Sequence, residues 1–456
     1  MDLFNPADSR PVHFVGIGGA GMSALALIAV RRGVVVSGCD ADPTGAADLA
    51  AMGVRIFQGH DPAHLEGVRA VVVTAAVTAG HPELERARVL GLPVVPRKEA
   101  LAALIGSAQS VAIAGTHGKT TTTVMATEAL TAAGLAPTGI AGGRVSAWGG
   151  NARVASDDLF VVEADEYDKA FLTLHPTVAV VNNVEPDHLE CYGSLAALED
   201  AFVEFAGRAP TAVVSADDPG ARRVASRLPN GVRRFGFSED AEIRISDVVQ
   251  RADRTEARVT WYGRAAVPLR LKVPGVHNLR NAVAALGAVE VLGGNLQAAA
   301  AALAEFEGVG RRFERLGEHG GVAVVDDYAH HPSELAATLS AARQAFPSRR
   351  LVAVFQPHLY SRTEAHGEAM GEALAQADLV FVTEVYAARE QPIAGVSGRR
   401  VAEAARRAGA DARFEPARAA VGRQVFESLQ PGDVVLTLGA GDITRVGPEL
   451  VQWLGA

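Results

Sequence analysis

Two short glycine-rich turns, each set between a β-rich run and a helix-forming run, constrain this chain more than any other feature. The first, Gly16-Ile17-Gly18-Gly19-Ala20-Gly21, follows VHFV and precedes an Ala/Leu-rich stretch. The second, Gly115-Thr116-His117-Gly118-Lys119-Thr120, follows VAIA and opens a Thr-rich stretch. A strand that enters a helix through glycines begins a βα unit. The free amides and positive dipole end at the helix start suit phosphate groups. Two such units in succession predict an α/β chain of several domains with largely parallel sheets.

The remaining pattern divides into three blocks within 456 residues, a length suited to two to four domains. The first carries strands at 12–19, 34–40, Val54–Gln58, Ala70–Ala75 and Pro93–Pro96, a helix over Gly21–Arg32, and a linker at Gly106-Ser107. The second restarts at 111–115, with a helix over Thr120–Ala133 and strands at Leu159–Glu163, Val178–Val181 and Ala212–Ser215. Short antiparallel strands over 240–275 and helices over Asn278–Leu292 and Leu296–Phe306 complete it. GVGRRFERLGEHGG (308–321) reads as a hinge, and strands at 322–328, 351–357, 378–386 and 433–441 form the third block. The predicted domains are 1–106, 107–318 and 319–456, each α/β.

Composition excludes several function classes. Lys plus Arg is 43 and Asp plus Glu is 52, a net charge of −9, so no nucleic-acid partner is expected. No apolar run reaches the length of a membrane span, and MDLFNPADSRPVHFVGIGG lacks the pattern of a signal peptide. Cys39 and Cys191 are the only cysteines, which suits a reducing cytoplasm. Only Lys98, Lys119, Lys169 and Lys272 are lysines, so a lysine at a motif position carries weight.

The first loop matches G-x-G-x-x-G, and Asp40 ends the next strand 19 residues beyond Gly21, where a carboxylate accepts from nucleotide hydroxyls. Taken alone it fits a nicotinamide cofactor as well as any other nucleotide. The second loop ends in the GKT of a P-loop, although Ile113 stands where a full Walker A motif has its first glycine. Its parts are nevertheless complete: amides to cradle phosphates, Lys119 to reach the β/γ oxygens, Thr120 to ligate Mg²⁺. Two nucleotide loops in consecutive domains disfavour a simple NAD-dependent oxidoreductase.

Further runs occur in one order: GTHGKTTTT (115–123), EADEYD (163–168), NNVEPDH (182–188), HNLRN (277–281), GRRF (310–313), DDYAHHP (326–332), FQPHLYSRT (355–363) and LGAGDI (438–443). In these the chain resembles the Mur ligase family, which forms amide bonds with ATP. HFVGIGGAGMSALA (13–26) and DDYAHHP are most similar to its alanine-adding branch.

The resemblance implies three domains, an N-terminal Rossmann-like domain, a central P-loop-type ATPase α/β domain and a C-terminal Rossmann-like α/β domain, with ATP and Mg²⁺ as cofactors and UDP-N-acetylmuramate and L-alanine as substrates of a monomer or homodimer. Gly16, Gly18, Gly19 and Gly21 would hold the UDP diphosphate beside Asp40. Gly115, Thr116, His117, Gly118, Lys119, Thr120 and Thr121 would hold ATP. Thr120, Glu163 and His188 would hold Mg²⁺; a carboxylate suits it, a histidine less commonly. His277, Asn278 and Asn281 would lie at adenine, and Arg312 would meet ATP. Tyr328, His330, His358 and Arg362 would line the muramoyl and alanine pocket, with Arg362 steadying an acyl phosphate and His330 a candidate base.

Two departures stand out. Leu359 occupies a position where many alanine-adding ligases carry Arg. No lysine lies between Lys169 and Lys272, so the carbamylated lysine that several relatives place after the DH pair is absent here. The rival readings are a ligase that recycles a murein tripeptide onto the same sugar, a NAD-dependent oxidoreductase, and a non-catalytic nucleotide-binding regulator. Intact Lys119, Thr120, Glu163 and His188 argue against the last.

Overall fold

The computed structural model describes residues 2–78, 80–229, 231–263, 265–388 and 390–455. Every residue named above as a candidate site residue lies among them.

The first sheet has five strands in the order Arg55–Gln58, Val36–Asp40, Val12–Val15, Ala70–Val73, Val94–Pro96. All four pairings are parallel, with Val12 opposite both Val36 and Ala70. VHFV is buried throughout, as expected of a central parallel strand covered on both faces. The helix Ala20–Arg31 buries Met22, Leu25 and Ile28 against it and ends just before Gly33, whose left-handed backbone turns the chain back. The strand order reverses direction at Val12–Val15, and the first glycine loop leaves from that strand's carboxyl end. In open α/β sheets this is where ligands bind.

The second sheet has ten strands. Gln109–Ala114 lies centrally, flanked by Val178–Val181 and Leu159–Glu163, both parallel to it. The P-loop therefore leaves a second point of strand-order reversal and enters the helix Lys119–Ala132. Ile113 belongs to the strand itself. Between 240 and 275 the strands are Ile243–Gln250, Thr255–Trp261 and Val267–Leu271, adjacent in the sheet, and Ile243–Gln250 runs parallel to Val232–Gly236.

The third sheet has six strands in the order Glu314–His319, Val322–Asp327, Val434–Leu438, Leu351–Phe355, Leu379–Val382, Asp411–Phe414. The hinge expected over 308–321 is corrected here. Glu314–His319 is an edge strand paired antiparallel with Val322–Asp327, with a register irregularity between Arg315 and Gly317. Its exposed residues and glycines disguise a half-buried edge strand as a linker.

The chain forms two compact units. One comprises Met1–Ser246, Arg258–Leu269 and Arg280–Ala304; the other comprises Asp247–Ala257, Arg270–Leu279 and Glu305–Ala456. Within the first unit the first sheet's domain packs on the second. Arg32 Nε donates to Asp157 at 2.7 Å, Lys98 Nζ to Asp168 at 2.7 Å, and Asn151 Nδ2 to Ser23 Oγ at 3.2 Å. No helix among the described residues is long and apolar enough to cross a membrane.

Candidate functional site

The first glycine loop is shaped by close backbone approaches. Gly16 adopts φ +82°, and a Cβ there would lie 2.8 Å from Thr74 Cγ2. A Cβ on Gly18 would lie 2.8 Å from the Asp42 carbonyl oxygen, and one on Gly21 2.8 Å from Arg97 Nη1. Gly19 caps the following helix in extended conformation. Asp40 Oδ2 accepts from Gly18 N–H at 2.9 Å and Oδ1 from Asp42 N–H at 3.0 Å, so this carboxylate also ties the loop to its neighbour. Arg97 places a guanidinium beside the loop and lies 4.0 Å from Asp165. The sequence reading did not single it out; an Arg after the fifth strand carries no motif.

The P-loop is held from the adjoining strand. Asn183 Oδ1 accepts from His117 N–H at 2.8 Å and its Nδ2 donates to the His117 carbonyl at 3.2 Å. Thr116 Oγ1 accepts from Glu185 N–H at 2.9 Å, and Asn182 Nδ2 donates to Thr122 Oγ1 at 3.0 Å. Gly118 has φ +79°, and a Cβ there would meet Asn281 Oδ1 at 2.6 Å. Asn281 thus lies directly against the loop. Thr120 and Thr121 are buried at the helix start.

Lys119 is the electrostatic centre. Its Nζ donates to both carboxylate oxygens of Glu166, at 2.8 and 2.9 Å, and to the Gly115 carbonyl at 2.8 Å. Burial works against its charge, but the carboxylates of Glu166, Asp165 and Glu163 prevail and hold its pKa above the ordinary lysine value. Glu166 is 1% exposed; burial raises its pKa against the pull of Lys119. Glu166 was not singled out in the sequence. It sits within EADEYD, where three acidic residues look alike until their directions are known.

Glu163 ends its strand and accepts from Gly142 N–H; a Cβ on Gly142 would lie 2.6 Å from Glu163 Oε2. Its field acts on Lys119. A threonine hydroxyl and a glutamate carboxylate are hard oxygen donors of the kind Mg²⁺ prefers. His188 has a left-handed backbone at φ +53°. Its ring lies edge-on to Tyr167 at 5.1 Å, with Nε2 3.7 Å from Asp187 and Nδ1 3.5 Å from Glu190. His188 therefore belongs to the loop that braces the P-loop and adjoins the EADEYD run.

In the other unit, polar side chains gather where Val322–Asp327, Leu351–Phe355 and Val434–Leu438 end. The Tyr328 ring is covered by the Arg311 and Arg312 guanidinia at 4.8 and 5.1 Å. Arg312 Nη1 lies 3.7 Å from Glu334 Oε1. His330 meets the Tyr328 ring edge-on at 5.3 Å, and its Nδ1 lies 2.9 Å from the Tyr328 carbonyl and 3.3 Å from Glu334 Oε2. His358 stacks on Tyr386 and faces the buried Arg362, with Nδ1 3.4 Å from Arg362 Nη1. The structure thus brings Tyr328, His330, His358, Arg362 and Arg312 together and adds Tyr386, Glu334 and Arg311.

Leu359 is 6% exposed, adopts φ +70°, and donates its N–H to the Tyr386 carbonyl at 2.9 Å. Its role is to turn the chain into the helix Tyr360–Leu374. Asp327 accepts from Phe313 N–H at 2.7 Å and Ala329 N–H at 2.8 Å, yet burial, only partly opposed by Arg312, raises its pKa to about 6. Asn278 Nδ2 donates to the Pro274 carbonyl at 2.7 Å, so part of its amide shapes the start of its own helix. His277 packs under Gly275, whose φ of +94° admits it.

Three family models match the chain in sequence: Mur ligase family, catalytic domain, over residues 11–109; Mur ligase middle domain over 113–289; and Mur ligase, glutamate ligase domain, over 311–441. The chain is 45% identical to a UDP-N-acetylmuramate–L-alanine ligase of Burkholderia thailandensis, covering 97% of this chain and 98% of that one. It is similar to the crystal structure of UDP-N-acetylmuramate-alanine ligase from Thermotoga maritima, with a TM-score of 0.85 at 31% identity, over 97% of this chain and 99% of that one. A murein peptide ligase from Psychrobacter arcticus shares the fold, with a TM-score of 0.75 at 24% identity, over 98% and 99% of the two chains.

Proposed function

The chain belongs to the Mur ligase family, and from that premise we infer that it is an ATP-dependent ligase joining L-alanine to the muramoyl carboxylate of UDP-N-acetylmuramate, in peptidoglycan precursor synthesis. The observation that carries this is the P-loop, in which Lys119 is held by Glu166 at the start of a helix whose amides are free to take phosphate.

The roles of individual residues follow from their chemistry. Gly16–Gly21 admits the diphosphate of the UDP sugar, with the Arg97 guanidinium close by. Lys119 places a positive charge where the γ-phosphoryl leaves ATP for the muramoyl carboxylate, and the product is an acyl phosphate. Two anions must approach each other in that step, so a fixed cation in a half-buried site contributes more than it would in water. Mg²⁺, when bound through Thr120, Glu163 and His188, supplies further charge neutralisation to the phosphate oxygens. Asn281, lying on Gly118, and Asn278 orient the nucleotide. His330, its Nδ1 anchored at the Tyr328 carbonyl and Glu334, is the candidate base for the alanine amine. Arg362 and Arg312 offer guanidinia to the acyl phosphate. As domains we propose 1–106, 107–313 and 314–456, the second boundary set before rather than within the edge strand Glu314–His319. Two cysteines outside any disulfide suit a cytoplasmic enzyme.

Phosphate release in the presence of ATP and Mg²⁺ tests this reading. It should require UDP-N-acetylmuramate together with L-alanine, and Gly or L-Ser should support it less well. Release driven by murein tripeptide and not by L-alanine would assign the recycling reaction instead.

A further inference from the structure

Away from the P-loop, the first domain buries a cluster with no part in the ligation chemistry. His13 comes from the strand Val12–Val15 and Cys39 from Val36–Asp40. His64 lies in the turn Pro62–Leu65, and Glu83 near the start of the helix Pro82–Leu90. One ligand atom of each lies within 4.8 Å of all the others. His13, Cys39 and Glu83 are fully buried, and His64 is 13% exposed. Cys39 Sγ is 3.0 Å from Glu83 Oε2, His64 Nδ1 is 2.8 Å from Glu83 Oε1, and His13 Nε2 is 3.8 Å from Glu83 Oε2.

His13 supplies the decisive observation. Its Nδ1 is 2.9 Å from Ser37 Oγ, which fixes the ring, while its Nε2 is buried without a hydrogen-bond partner and points at the carboxylate. With Nδ1 donating to Ser37 Oγ, the Nε2 lone pair faces a buried carboxylate oxygen, an arrangement that a cation between them relieves; with Nδ1 accepting, an Nε2–H points at that oxygen instead. From the side chains around the gap we propose that this cation is a divalent transition-metal ion, zinc foremost, bound by His13, Cys39, His64 and Glu83. Thiolate, two imidazoles and a carboxylate are zinc ligands. With metal–ligand distances of about 2.0–2.3 Å, the edges of a tetrahedral site are about 3.3–3.8 Å; the 3.8 Å from His13 Nε2 to Glu83 falls in that range, and the 2.8 and 3.0 Å hydrogen bonds of Glu83 to His64 and Cys39 open by a few tenths of an ångström when the ion replaces their protons. On binding, the Cys39 S–H bond is replaced by an S–metal bond and the proton passes to solvent. A dication with one thiolate, one carboxylate and two neutral imidazoles leaves the buried site uncharged.

The four ligands come from four separate elements, so the ion pins them together. It also reaches the nucleotide loop, because the Cys39 carbonyl accepts from both Gly16 and Ile17 N–H, at 2.8 and 3.1 Å. Loss of the ion is therefore expected to loosen the loop that takes the UDP sugar.

Cobalt(II) titration of the chelator-stripped full-length protein tests the proposal. One equivalent should produce a thiolate-to-cobalt charge-transfer band that zinc then abolishes by displacement. Cys39→Ser should lose the band, His64→Ala should weaken cobalt binding at least tenfold, and Cys191→Ser should retain the wild-type spectrum. Cobalt in the oxygen-rich Mg²⁺ site gives no such band, so the two sites are distinguished. Should Cys39→Ser not fold, His64→Ala and Cys191→Ser decide. A wild-type protein without the band, a band lost in Cys191→Ser, or unchanged affinity in His64→Ala overturns the proposal and leaves a proton as the cation at His13.

Discussion

Replacing Lys119 with Met separates the structural and catalytic duties of one side chain. In the native protein its ammonium contacts both oxygens of Glu166, a carboxylate that is 1% exposed. Without that cation Glu166 is left as a buried, uncompensated charge, and its escape is to take up a proton. From an ordinary value of 4.5, protonation at pH 7 spans about 2.5 pH units, or about 3.4 kcal/mol at ~1.36 kcal/mol per unit. This caps the electrostatic loss and agrees with the roughly 3–5 kcal/mol typical of a broken buried pair. Lys119→Met should thus lose about 3 kcal/mol at pH 7. The sign with pH is fixed. Burial already raises the Glu166 pKa in the native protein and loss of Lys119 raises it further, so the deficit relative to the native protein is smallest at low pH and grows as pH rises. At pH 5 the ceiling is only about 0.7 kcal/mol. Adding Glu166→Gln removes the charge and should restore most of the stability at pH 7. Neither variant should recover ligase turnover, because the phosphoryl group still lacks its cation. Urea unfolding at pH 5 and 7, with ATP-dependent ligation measured in parallel, reads all of this. Equal destabilisation of single and double variants, or a deficit independent of pH, would refute the reasoning.

Other consequences follow from the same geometry. Gly118→Ala places a Cβ at a left-handed position 2.6 Å from Asn281 Oδ1, a backbone cost of about 1–2 kcal/mol before the clash; initial-rate kinetics should show KM for ATP rising at least tenfold with KM for the UDP sugar little changed. His188→Ala should shift the Mg²⁺ concentration for half-maximal activity upward, and an unaltered Mg²⁺ dependence would remove His188 from the metal. Asp327, whose pKa is raised to about 6 from an ordinary 3.8, should titrate near pH 6 by carboxyl carbon NMR. Because its folded value is the higher one, it weakens the native state as pH rises from about 4 to 6, by roughly 3 kcal/mol at most, and Asp327→Asn should abolish that slope.

Much of the architecture was legible because it rests on local signals. The strands VHFV and VVLTL are mostly apolar and wholly buried, and both nucleotide loops announce themselves by glycines at a strand-to-helix turn. The hinge over 308–321 misled because an edge strand needs only one buried face, and Glu314–His319 meets that need through Leu316, set among Gly317 and charged neighbours. The strands Thr138–Val145 and Gly150–Arg153 were missed for a similar reason: TGIAGGRV is too rich in glycine to read as a strand, and its pairing with Gly150–Arg153 has an irregular register. At the site, motif residues such as Lys119, Glu163 and His330 were found, but their partners were not. Glu166, Asn183, Arg97 and Tyr386 act through directions that only the folded backbone sets. Leu359 reads in the sequence as a lost arginine; its positive φ and buried side chain show a turn-forming residue, while Arg362 stands beside His358.

The central claim is that phosphoryl transfer to the muramoyl carboxylate precedes amide formation. UDP-N-acetylmuramate labelled with oxygen-18 in that carboxylate, incubated with ATP, Mg²⁺ and L-alanine, tests it directly. The account predicts one labelled oxygen in each phosphate released; unlabelled phosphate alongside normal ligation would contradict it.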